Sequence, residues 1–244
     1  MEQLLIDRLS KIPSHSCVVK DSIPVICFGN LNTARVATLG LNPSKNEFLN
    51  KGQLINGNNK RFENLKTLDG ADLSHLNKDQ IQKALSSCIN YFHNNPYNRW
   101  FNHIENYILN KLNVSYYNGT CCHLDLVQWA TDPVWGKLNK ETKSQLMTDD
   151  FPFLKEQLLR SNINTLLING SGATRYFCSQ LQAKASEEDV LQVGNMKCRV
   201  AALEINLGDK EMMVYTWSQN LQSSPGMTNF MKDAIGNWVK ANIQ

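Results

Sequence analysis

Two polar residues, each set at the end of an apolar run, have the types and positions that do chemistry. Asn42 closes the run Arg35-Val-Ala-Thr-Leu-Gly-Leu-Asn-Pro-Ser44, where a short strand pattern stops at Gly40 and the chain turns through Asn42-Pro43-Ser44. Glycine opens backbone conformations that side chains forbid, and proline ends strand pairing. Asn42 is thereby held at the carboxyl end of a strand, where open α/β sheets form their ligand crevices. The same pattern also serves as an ordinary turn. Asp125 lies in Cys121-Cys-His-Leu-Asp-Leu-Val-Gln-Trp-Ala-Thr-Asp-Pro133. Flanked by Leu124, Leu126 and Val127, its carboxylate is expensive to bury without a specific partner. The plainer reading is a turn cap or a partner for a lysine. His123 shares a strand face with Asp125; it orients that carboxylate, contacts a ligand, or is a satisfied core histidine.

Two later segments have the same strand-then-turn form. Thr165-Leu-Leu-Ile-Asn-Gly-Ser-Gly-Ala173 is a buried-strand pattern that opens a helix at Gly170. Its amides suit a phosphate at a helix N-terminus, or simply tight strand–helix packing. Val214-Tyr-Thr-Trp-Ser-Gln-Asn-Leu-Gln-Ser-Ser-Pro-Gly226 precedes the last helix and carries Trp217, Ser218 and Asn220.

These segments need a scaffold, and the periodicity supplies one. Residues 1–13 read as an amphipathic helix, 35–41 as a strand, and 79–92 and 98–112 as helices. The second of those helices has an aromatic stripe that reads as core. A strand over 114–128, a tryptophan-bearing loop over 129–135 and a helix near 148–160 follow. The strand 164–169 leads into a helix over 173–183. A hairpin pairs 196–205 with 210–217, and a helix spans about 227–242. Strands alternating with helices predict an α/β fold, a three-layer sandwich around a mostly parallel sheet. No repeat or linker divides the chain, so a single domain over 1–244 is expected. The polar stretch 45–60, with Gly52, Gly57 and five asparagines, is long for an idle loop.

Bulk properties narrow the class of function. The net charge is only +3, so a nucleic-acid surface must come from local clustering, such as Lys45, Lys51, Lys60, Arg61 and Lys66. A solvated face is the alternative. The seven cysteines include no Cys-x-x-Cys pair. With no signal-peptide pattern or long apolar segment, they read as reduced thiols of a cytoplasmic, non-membrane protein. The five histidines are scattered and none follows residue 123, so no metal site is indicated. A monomer without cofactor is expected.

Taken in order over roughly 35 to 230, the four segments resemble the active-site motifs of the uracil-DNA glycosylase superfamily. The resemblance implies an enzyme that flips a nucleotide out of double-stranded DNA and hydrolyses its N-glycosidic bond, leaving an abasic site. Asn42 then positions the attacking water. Backbone amides near Leu41 and the 217–220 loop stabilise the departing base. Ser44 contacts a phosphate, and Phe48 or Phe62 stacks on the base. Asp125 falls where the superfamily carries a base-reading asparagine, and Gly170 falls in the strand–helix turn. Trp217 or Leu221 is the wedge that fills the gap. Two departures stand out. The last segment commonly reads His-Pro-Ser in the superfamily, whereas Trp217-Ser218-Gln219-Asn220 stands here. The cysteine spacing also does not fit the iron-sulfur cluster that some members hold.

Asparagine matches the O4 and N3–H edge of uracil, but an ionised aspartate offers acceptors only and matches the exocyclic amino group of cytosine. Removing unmodified cytosine would destroy the host genome, so a modified cytosine is the expected base. The superfamily includes bacterial antiphage glycosylases that excise glucosylated hydroxymethylcytosine, and the chain is similar to what such an enzyme needs. Three alternatives stay open: repair of uracil or a deaminated base, a non-catalytic DNA-binding relative, and an α/β enzyme of free nucleotides or nucleosides.

Overall fold

A computed structural model describes residues 1–184 and 187–243. The chain forms two compact units, each gathered from separated stretches. One comprises Met1–Leu31, Leu41–Pro96 and Leu124–Ser161; the other comprises Asn32–Gly40, Tyr97–His123 and Asn162–Gln244.

The second unit is built on a sheet. Its parallel core is β1 (Val36–Gly40), β5 (Thr165–Asn169) and β8 (Glu211–Trp217). Val36 stands opposite Thr165, and Thr165 opposite Met213. Leu166, Leu167 and Ile168 are fully buried, which is why β5 reads as an unbroken apolar run rather than an alternation. Beyond β8 the sheet continues antiparallel through β7 (Met196–Asn206) to β6 (Glu187–Val193), and β4 (Cys121–Asp125) flanks β1 at the other edge. The helix α5 (Ser171–Leu181) packs on β5 and β8, and α6 (Asn229–Asn242) packs on β6 and β7. The chain is therefore α/β, with a six-stranded, mostly parallel sheet flanked by helices, as the alternation of patterns implies. Gly236 lets α6 approach α3 (Asn98–Tyr107) closely: a Cβ there would lie 1.9 Å from the Tyr107 carbonyl oxygen.

The first unit holds α1 (Glu2–Leu9), α2 (Lys78–Ile89) and α4 (Lys140–Arg160). Asn77 and Gln80 form a capping box at the start of α2, and the Asn139 side chain caps α4 by accepting from the Thr142 amide. A short antiparallel ribbon, β2 (Leu49–Asn50) with β3 (Gln53–Leu54), occupies the polar stretch after Asn42.

Several boundaries differ from those predicted. The strand expected over 114–128 is only Cys121–Asp125, because Ser115, Asn118 and Thr120 tie residues 115–121 into turns. The helix expected from 148 begins eight residues earlier, at Lys140, on the Asn139 cap. The helix expected over 98–112 ends at Tyr107 and gives way to a 3-10 turn, Leu109–Leu112. β6 was not anticipated. Its exposed Glu188, Asp189 and Val190 present no alternation, as befits an edge strand.

Candidate functional site

The chain leaves β1 at Gly40 and enters the first unit at Leu41. There the Val127 amide donates to the Leu41 carbonyl at 3.0 Å. Asn42 Nδ2 donates to the Trp129 carbonyl at 3.0 Å and to Thr131 Oγ1 at 3.2 Å. Both amide hydrogens are thus committed, which leaves Oδ1 as the acceptor for a water or ligand. The partner segment is itself braced. Gln128 Nε2 donates to the Asp125 carbonyl at 3.0 Å, and the Gln128 amide donates to Asp150 Oδ2 at 2.8 Å. Arg8 Nη2 reaches Asp150 Oδ1 at 2.7 Å, and its guanidinium lies 5.0 Å over the Trp129 ring. Burial pushes the Arg8 pKa down and the Asp150 pKa up, while their mutual attraction opposes both shifts. Removing one member of a buried pair typically costs about 3–5 kcal/mol, so α1 and α4 hold the 125–131 segment firmly.

Asp125 is buried at the end of β4. Near it electrostatically lies a second buried carboxylate that sequence reasoning missed, Glu47, which is only 3% exposed. Glu47 ends the 3-10 turn Lys45–Glu47, which Ser44 caps by accepting from the Asn46 amide. The Tyr91 hydroxyl donates to Glu47 Oε2 at 2.9 Å, and Arg61 Nε stands 3.8 Å from the same oxygen. Burial raises the Glu47 carboxyl to about 7; Arg61 and the Tyr91 hydrogen bond pull it down, and Asp125 pushes it further up. The one sequence signal was an acidic residue five positions after Asn42, next to Phe48.

Phe48 and Phe62 do not protrude from the loop. Each is 1% exposed, and their rings stack at 5.6 Å. Phe62 also stacks on Tyr91 at 4.9 Å, with Phe28 edge-on to both Phe62 and Tyr91. They form an aromatic wall beside Glu47. Phe62 also lines a cavity of about 960 Å³, together with Lys60, Arg61, Ser86, Asn90 and Asn94, among others. Asn42 and Asp125 do not line it.

The remaining predicted site residues belong to the second unit, and its contacts account for most of them. The Nδ1 atom of His123 lies 2.8 Å from Thr38 Oγ1, which in turn lies 2.6 Å from the Tyr116 hydroxyl. With Phe101 edge-on at 5.3 Å, His123 is a core histidine. Trp217 is fully buried and donates its indole N–H to Asn169 Oδ1 at 2.9 Å, and Leu221 is 1% exposed. Neither can enter a duplex as a wedge without leaving the core, which corrects that expectation. Asn220 Oδ1 accepts from the amides of Gln222 and Ser223, so it shapes a turn. Gly170, at φ +95°, brings the start of α5 against Asn220, where a Cβ would stand 3.4 Å from that residue's Cβ. Its amide donates to the Trp217 carbonyl and that of Ser171 to the Ser218 carbonyl, so the expected phosphate-binding amides are those of tight packing. Ser218 lines a cavity of about 450 Å³ together with Arg175 and Arg199.

Among the described residues no helix is long and apolar enough to cross a membrane. Comparison with known proteins gives no matching family model and no matching curated protein.

Proposed function

We propose that the protein is a DNA glycosylase of the uracil-DNA glycosylase type, in fold as in activity. It hydrolyses the N-glycosidic bond of a modified cytosine flipped from double-stranded DNA. The observation that carries this reading is the anchoring of Asn42. With Nδ2 tied to Trp129 and Thr131, Oδ1 accepts a hydrogen bond from a water and turns the water's lone pair toward C1′ of the sugar. The bond from C1′ to the base nitrogen breaks as positive charge grows on the sugar and negative charge on the base. Asp125 supports the choice of base. As a carboxylate it accepts from the amino group of cytosine and repels the O4 oxygen of uracil. The cavity lined by Phe62 also presents the side-chain amides and cations that a sugar on the base would need. Such a modification marks phage DNA apart from the host's own, and the reading places the enzyme in antiviral defence.

Substituting Asp125→Asn tests the assignment. The amide keeps the size and adds a donor, so uracil becomes more acceptable. A good base contact is worth about 1–3 kcal/mol of discrimination, so the ratio of modified-cytosine to uracil release should fall about ten-fold or more. An unchanged ratio in a folded variant would place Asp125 outside base recognition.

A further inference from the structure

We propose that Glu47 is the proton donor to the departing base, a role that rests on the glycosylase reading. Hydrolysis places negative charge on the leaving base, and neither a neutral Asn42 amide nor an Asp125 carboxylate has a proton to give. Glu47 stands five residues beyond Asn42 on a capped turn, walled by Phe48 and Tyr91 and within the electrostatic reach of Asp125. When Asp125 accepts from the amino group of a cytosine, the neighbouring ring nitrogen N3 faces the next carboxyl. The Glu47 carboxyl proton passes to N3 while the pair of the bond from C1′ to N1 moves into the ring. The water oxygen bonds C1′, and the proton that the water releases goes to solvent. The base leaves as a neutral molecule, and the Glu47 carboxylate takes a proton back from solvent.

The surroundings suit that task. Burial among aromatic rings holds the Glu47 carboxyl near neutrality, at about 7, and the charge of Asp125 adds to that rise. The charged or titratable groups facing it are Arg61, the Tyr91 hydroxyl and Asp125. Arg61, 3.8 Å from the carboxylate, pulls the group back down, and burial outweighs it.

The test is single-turnover base release between pH 5.5 and 9 from duplex DNA carrying glucosylated hydroxymethylcytosine. Wild type should lose rate as pH rises through about 7, since the proton-bearing form of Glu47 disappears. Glu47→Gln keeps size and hydrogen bonds but gives no proton. Its rate should fall by about 10²–10⁴ at pH 6, and the decline with rising pH should vanish. Glu47→Asp should be slower than wild type while keeping the decline.

Stability separates this role from a structural one. The folded state binds more protons than the unfolded state between 4.5 and about 7, so Glu47 weakens the fold as pH rises through that window. Glu47→Gln should therefore resist denaturant better than wild type at pH 8, with the gap closing toward pH 4. A folded Glu47→Gln that cleaves at the wild-type rate with the wild-type pH profile would overturn the inference alone. Absence of base release by wild type at every pH would overturn the glycosylase reading, and this inference with it.

Discussion

Asn42 owes its orientation to two acceptors, the Trp129 carbonyl and Thr131 Oγ1, and this decides what its substitution should do. Asn42→Ala removes the Oδ1 acceptor that the proposed mechanism uses to hold the water. Losing one well-placed hydrogen-bonding group in such a site typically lowers the rate on the order of 10²–10³. Affinity for DNA should be retained, because the proposed role of the side chain is to hold water rather than to contact phosphate. Single-turnover rates and binding isotherms on the same duplex check both halves, and a near-wild-type rate would remove Asn42 from the site. Asn42→Asp should not restore activity. It would set a second acceptor against the Trp129 carbonyl, 3.0 Å from where a donor now stands. At this scale the sequence was informative about Asn42 and Asp125, since a polar group closing an apolar strand must be explained. It was silent about Glu47, whose importance comes from burial by residues as distant as Tyr91.

The elements behave as their packing dictates, most visibly where α6 crosses α3. Gly236 is helical and lies close to the Tyr107 carbonyl, so its substitution acts through space rather than through backbone conformation. Gly236→Ala would raise helix propensity, yet its Cβ has no room against a backbone oxygen 1.9 Å away. Overpacking of this kind costs about 1–3 kcal/mol, and the steric term should outweigh the propensity gain. A urea titration should show a lowered midpoint, and an unchanged or raised one would contradict the packing. The strands β1, β5, β7 and β8 were legible because buried parallel strands and a hairpin turn leave plain patterns. The first half of the predicted strand 114–128 was not, because Val114, Tyr116 and Tyr117 favour strands while Ser115, Asn118 and Thr120 bind nearby backbone and close turns. The early turns of α4 were missed for the opposite reason. Lys140 to Gln145 are polar, and only the capping asparagine announces the helix.

For the whole chain, a net charge of +3 gives little general attraction to DNA. Part of the expected basic cluster is also paired within the protein: Lys45 with Asp132 at 2.8 Å, and Lys60 with Glu63 at 2.5 Å. On the proposed glycosylase reading, recognition then depends on a few local phosphate contacts and on the chemistry of the base. Specificity should accordingly reside in the base-release step. The measurement that bears most directly on this account is single-turnover base release, with chelator present, from matched duplexes. These carry glucosylated hydroxymethylcytosine, uracil or unmodified cytosine, with released bases identified by mass and abasic sites by alkali. The account predicts release of the modified cytosine with an alkali-sensitive site at its position, slower release of uracil and none of cytosine. Intact DNA in all three duplexes, or cleavage confined to free nucleosides, would contradict it.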